Sequence, residues 1–346
     1  MPNEVPLQEI ILLEESAVTM EQNGGTTEYD SVSAAIDATQ AYNKDTNKGL
    51  YTITLNENLA EDVVIPEGRY IKIDLNGHTL TNKESHTIFN NSTRITIVDT
   101  SAEKTGVVDN ISHGRGAVYN NINAAITLQG GSYTRSQEAS TGSDASGSNS
   151  WYVLKNFGTM TIKDGVTVKF SDSNSGLYSS LIGNGWQNSS AAEAGSNGEP
   201  KSNAGGKQAK LTINGGTFDI KQMSGQGDRR FTINCYDSNY KNGTAQVSIN
   251  GGTFNGFDPA NNLAEGTGTA FTAPGYTSVA NADGTYGVVA GVAQVGTKAY
   301  AGLQAAIDAA QDGETVQLLT DIVLDAQADT KSGLYPQFTI SGKKLT

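Results

Sequence analysis

The phrase "KLTINGGTF" (Lys210 to Phe218) returns as "QVSINGGTF" (Gln246 to Phe254), 36 residues further on. Apolar and polar residues alternate at the start of each copy, which marks a strand buried on one side only. The two glycines that follow supply positive φ without a Cβ penalty, so the chain turns sharply there. The aromatic residue that closes the phrase is then expected to point back inward.

The same frame fits Ile73-Leu75-"NGHT"-Leu80, Ile126-Leu128-"QGGS"-Tyr133 and Phe338-Ile340-"SGKK"-Leu345. "MTIKDGVTV" (Met160 to Val168) fits with its closing residue displaced by one, and "RITIVD" (Arg94 to Asp99) keeps the strand half. No strand of matching alternation follows each turn, so the copies are not hairpins. Most are spaced 22 to 36 residues apart, a period that indicates a solenoid.

A further strand precedes several copies and ends on Asn90, Asn120 or Asn156. Asparagine tolerates a left-handed turn, and its amide can also bond to the asparagine of the next coil in a ladder. Together these features predict an all-β fold, a right-handed parallel β-helix of about seven coils that no single coil can stabilise alone. Two Ser/Gly/Asn/Ala-rich segments, Arg135 to Ser150 and Trp186 to Gln208, are expected to leave the cylinder as loops.

A longer repeat sets "YDSVSAAIDATQ" (Tyr29 to Gln40) against "YAGLQAAIDAAQ" (Tyr300 to Gln311). Val32, Ile36 and Thr39, like Leu303, Ile307 and Ala310, share one helical face. Ser31 or Asp30 caps the first helix, and Gly313 stands just past the second. An amphipathic helix here is expected to lid the open end of the solenoid, whose unpaired edges invite aggregation. "GYTSVANADGTYGVV" (Gly275 to Val289) reads as a β-hairpin with Asp283-Gly284 in the turn. The expected organisation is an N-terminal extension (1–28), a helix-capped β-helix (29–274), a β connector (275–291) and the start of a second, truncated module (292–346). The run Ile10 to Leu13 is either an assembly strand, as in a trimeric fibre, or a strand paired onto the first coil.

The chain of 346 residues carries a net charge of −13, which repels a phosphate backbone and excludes nucleic acid as an expected partner. Cys235 is the single cysteine, so no internal disulfide forms, and it is expected to fill the core. The first residues show no signal peptide, and no stretch has the length of a membrane span.

The helix "AAIDAAQ", the stacked "TINGGTF" coils and "GYTSVANADGTYGVV" resemble tandem β-helix modules in large surface proteins of anaerobic, gut-type Firmicutes. The coils are similar in kind to the pectin-lyase-like fold, and phage fibres and decoration proteins also use β-helices. The resemblance implies an extracellular, adhesin-like protein of a cell surface or virion and implies no activity. Its expected partners are glycans or host-surface ligands, with homo-trimers or tandem self-association as possible assemblies.

The rival expectation is a lyase or glycosidase of acidic polysaccharides, which needs two carboxylates flanking a cleft. Asp74, Asp99, Asp109, Asp219, Asp228 and Asp237 are the candidates, and none forms a paired-Asp motif. His113 and Arg115 in "SHGRG" suit an acidic sugar or simply a turn, and Arg229 and Arg230 in "GDRRF" suit a carboxylate or sulfate or simply a solvated loop. Trp186 heads the list of ligand-facing aromatics, with Tyr51, Tyr119, Trp151, Tyr152 and Tyr178 behind it. Asn43 to Gly49 and Asp172 to Gly176 offer only partial calcium ligand sets, so no cofactor is expected.

Overall fold

The computed structural model describes residues 16–46, 48–112, 114–136, 151–170, 179–185, 209–220, 231–235, 240–241, 243–261, 270–322 and 344–345. Strands dominate, and most of them pair in parallel within three ladders. The first ladder holds Leu50–Leu55, Tyr70–Asp74, Arg94–Val98, Ala125–Leu128, Thr159–Ile162 and the opening halves of Ala209–Asp219 and Ala245–Asn255. The second holds Leu59–Ala60, Thr79–Thr81, Val107–Asn110, Gly131–Arg135, Val166–Lys169 and the closing halves of the same two long strands. The third holds Val63–Ile65, Ile88–Asn90, Val118–Asn120, Trp151–Asn156, Ser179–Asn184 and Ile233–Asn234. The chain visits the ladders in rotation, so successive copies of the phrase lie side by side.

Register turns the repeat into columns. Ile53, Ile73, Ile97, Leu128, Ile162, Ile213 and Ile249 face one another down the first ladder, all fully buried. Leu80, Val108, Tyr133, Val168, Phe218 and Phe254 form the column of the second, and the Phe218 and Phe254 rings stack 4.7 Å apart. Val63, Ile88, Val118, Leu154, Ile182 and Ile233 complete the set, and the three columns share one core. Burying each such side chain contributes about 1.5–3 kcal/mol, so stacking supplies what an isolated circuit lacks. At the glycine corners Gly131, Gly165, Gly216 and Gly252 all have φ between +82° and +104°, as the turn requires.

The asparagines take one of the two roles expected of them. Asn90 Nδ2 donates to Asn120 Oδ1, Asn120 to Asn156 and Asn156 to Asn184, at 2.7–2.8 Å, and all four side chains are buried. Asn184 ends the column against the buried Cys235 Sγ, at 3.6 Å. None of the four is left-handed; Asn23, Asn76 and Asn123 are. The ladder asparagines close the third-ladder strands instead, and their amides also bond to backbone carbonyls on the first ladder, such as Thr159 O and Lys210 O.

Met160 and Leu211 are rung neighbours although 51 residues separate them, so the register of the ladder is kept across the polar segment Trp186 to Gln208, which lies outside the described residues. Arg135 corrects the expected start of the other loop. It is the last residue of its strand, in register with Asn110, and fully buried. Two positions beyond Tyr133, it continues the inward alternation.

An antiparallel hairpin pairs with the first rung of the large sheet and another with its last long strand. At the N-terminal end Val18–Gln22 pairs with Gly25–Tyr29 and with the first rung Leu50–Leu55. Asn23 and Gly24, both with positive φ, make the turn, the Asn-Gly pair that a two-residue hairpin favours and that the repeat does not mark. Helix α1 (Val32–Asp37) is capped by Ser31, whose Oγ accepts from Ala34 N at 3.0 Å. Val32, Ile36 and Thr39 are buried, and Glu61 accepts from the Val32 and Ser33 amides, which fixes the helix over the end of the core. At the other end Tyr276–Ala280 and Thr285–Ala290 form the expected hairpin, and the second of these strands also pairs with the last long strand. The connector is therefore part of the sheet.

Beyond it, Ala293–Val295, Lys298–Tyr300, helix α2 (Leu303–Ala309) and Thr315–Leu318 surround a second small core of Ala293, Ala306, Ile307, Ala310 and Val316. Lys344–Leu345 runs parallel to Thr315–Leu318, and the strand expected at Phe338 and Ile340 lies outside the described residues.

Candidate functional site

Alternation sends every second strand residue outward, and register aligns those residues too. On the first ladder Thr52, Lys72, Thr96, Thr127, Thr161, Thr212 and Ser248 form one outward row. On the second, Ser132, Thr167, Thr217 and Thr253 are neighbours in turn. Rungs in a sheet are about 4.8 Å apart, so these faces present hydroxyls at near-regular spacing.

Two grooves lie on these faces. The first, of about 290 Å³, has Leu50 and Thr52 of the first rung beneath it. Glu21, Gln22 and Asn23 of the N-terminal hairpin flank one side, and Tyr70, Lys72 and Arg94 the other. Tyr70 stacks on Tyr42 with ring centroids 4.1 Å apart, and the Arg94 guanidinium sits 5.2 Å from the Tyr70 centroid. The second groove, of about 550 Å³, is lined by Thr167, Thr217, Thr253, the glycine corners, Asp164, and Asn281 with Val289 of the connector hairpin. Each groove has one carboxylate among its lining residues, Glu21 or Asp164.

The candidate carboxylates hold turns together. Asp74 accepts from the Asn76 and Thr100 amides and the Thr100 hydroxyl. Asp99 accepts from the Gly77, Ser101 and Gly106 amides and the Ser101 hydroxyl. Burial pushes the Asp99 carboxyl up, but those hydrogen bonds outweigh it and hold the group below the usual carboxylate range. Asp109 behaves oppositely: burial raises it, and bonds from Ser136 and the charge of Arg135 pull it only part of the way back. Asp219 accepts from Asn255 Nδ2 at 2.7 Å. Asp228 and Asp237 lie outside the described residues, as do His113, Trp186, Arg229, Arg230 and Tyr178.

Arg115 is half-buried in a turn, its amide donating to Ser112 O at 3.3 Å, beside the positive-φ Gly114. Tyr51 is a buried core residue, and its hydroxyl accepts from Gln40 N. Tyr119 is buried as well, yet it takes an outward position on the third ladder, between Phe89 and Lys155. It stacks on Phe89 at 4.7 Å within a cluster that includes His86 and Phe157. Asn43 Oδ1 accepts from the Asp45 and Thr46 amides, a local turn at the start of Asn43 to Gly49; Asn47 and the stretch Asp172 to Gly176 lie outside the described residues. Among the described residues no three His, Cys, Asp or Glu side chains converge, and no helix is long and apolar enough to cross a membrane.

Tyr70, Lys72 and Arg94 escaped the sequence reading. Alternation in "YIKID" and "RITIV" marks Lys72 as outward, but nothing local shows that Arg94 lands beside Tyr70. Comparison of the chain with protein-family models, with curated proteins and with solved structures gave no match.

Proposed function

We propose that the three ladders wind as a right-handed parallel β-helix, and that this protein is a non-catalytic display or adhesion module of a cell surface or virion. Glycans are its ligand class. The observation that carries the reading is the pair of shallow outer-face grooves lined by hydroxyl, amide and aromatic groups. Sugars are recognised by such mixtures, in which a few polar groups fix orientation beside an apolar or aromatic wall. A glycosidase would place two carboxylates about 5–9.5 Å apart across a cleft, whereas each groove has one carboxylate among its described lining residues. The strong right-handed preference of parallel crossover connections supports that handedness.

The test is a glycan array probed with the intact chain, run beside turnover assays on acidic and neutral polysaccharides. Saturable binding without bond cleavage is the expected result. Cleavage of any polysaccharide, with product growing linearly in time, would overturn the non-catalytic reading.

A further inference from the structure

We infer that the groove between the N-terminal hairpin and the second rung selects glycans carrying an acidic group, a carboxylate or sulfate, with Arg94 and Lys72 as the recognising cations. The inference rests on the glycan reading above and narrows it to one class and one place.

Register puts Arg94 beside Tyr70, and Lys72 two residues along from Tyr70 on the same outward face. With rungs about 4.8 Å apart and about 3.3 Å of rise per residue, the two cations start about 8 Å from one another, and both side chains are long enough to converge on one anion. Both are exposed, and neither forms an ion pair among the described residues. Arg94 is instead held by the Tyr70 ring, itself braced by Tyr42. A guanidinium positioned by a ring keeps its N–H fork for a planar or tetrahedral anion and loses little freedom on binding.

One carboxylate, Glu21, shares the groove with this pair, on the far side of the first rung. Glu21 is in register with Thr52, and Thr52 with Lys72, so a full strand separates the acid from the nearer cation. Lys72 and Arg94 are two cations close together on one face of a chain of net charge −13, so they act on an acid at short range, where salt screens the more distant carboxylates. Thr52, Thr96 and the Gln22 and Asn23 amides supply partners for sugar hydroxyls around them. The volume, about 290 Å³, stands at the lower end of small-ligand sites and suits one or two sugar rings.

The experiment uses the full chain and the variants Arg94→Gln, Arg94→Lys and Lys72→Gln, on an array of sialylated, uronate-bearing and sulfated oligosaccharides beside their neutral counterparts. Unchanged thermal unfolding confirms that these exposed substitutions leave the fold intact. The expected result is binding to acidic probes that weakens with added salt and falls at least tenfold in Arg94→Gln and in Lys72→Gln, with Arg94→Lys intermediate. Binding to neutral probes alone overturns this inference and leaves the glycan reading standing. Acidic binding indifferent to all three variants overturns the placement in this groove. Binding to no probe of either class overturns the glycan reading, and the inference with it.

Discussion

Substituting Asn120 by alanine tests the buried amide column directly. Asn120 Nδ2 donates to Asn156 Oδ1 at 2.8 Å and to Thr159 O at 3.0 Å, while its own oxygen accepts from Asn90 at 2.8 Å. After truncation Asn90 keeps Ser92 O as an acceptor at 3.1 Å, so its loss is small. Asn156 Oδ1 loses its donor in an interior that water does not reach, and Thr159 O loses a side-chain donor while keeping its place in the parallel ladder. A buried polar atom stranded in this way costs about 1–3 kcal/mol, and the vacated volume adds to it, so the expected destabilisation is about 2–4 kcal/mol. Asn184→Ala should cost less, about 1–2 kcal/mol. Among the described residues its amide serves Gln246 O at 2.9 Å and Cys235 Sγ, a weak acceptor. Thr127→Ala, on the outer face of the same circuit as Asn120, is the control and should stay within about 0.5 kcal/mol. Urea titration of the three variants by far-UV circular dichroism gives the order. The reasoning is refuted if Asn120→Ala unfolds within about 0.5 kcal/mol of the parent, or if Asn184→Ala is the more damaging of the two.

Three other outcomes are expected. Phe218→Ala removes a fully buried ring stacked on Phe254 and should destabilise by about 3–5 kcal/mol in the same titration, whereas Phe218→Leu should recover most of the loss. Gly216→Ala places a Cβ 2.9 Å from Val166 O at φ +97° and should lower the unfolding midpoint clearly more than Gly243→Ala, where nothing stands within 4 Å. The two shifted aspartates give opposite pH dependences. Asp99, held low, contributes stability that is present above the unfolded carboxylate value of about 3.9 and is lost as pH falls through its lower folded value; Asp99→Asn should therefore be less stable at pH 7 and show a flatter acid limb. Asp109, held high, favours folding in its protonated form, an advantage present below about 3.9 and lost as pH rises through the higher folded value; unfolding curves between pH 3 and 6 for Asp109→Asn should lack that component.

Much of this architecture was legible from one-dimensional pattern because its causes are local. Two-residue alternation assigns each strand residue a face, and Gly-Gly corners impose positive φ. The aromatic that follows is thereby returned inward, as Tyr133, Phe218 and Phe254 show. The helical face of Val32, Ile36 and Thr39, its Ser31 cap and the Asp283-Gly284 hairpin were readable for the same reason. The Asn23-Gly24 hairpin rests on an equally local signal.

What sequence by itself determined was which residues form strands, where they turn and which side of each strand is apolar, since all of that depends on neighbours a few positions away. Tertiary structure alone decided which strands became neighbours. It set Leu211 beside Met160 across a long insertion, drew Arg135 into the interior, and chose the ladder over the left-handed turn for Asn90, Asn120 and Asn156. The groove of Tyr70, Lys72 and Arg94 belongs to that second kind. Its geometry comes from register between separate rungs, and register is selected by burial of the whole stack, a property that no single segment possesses.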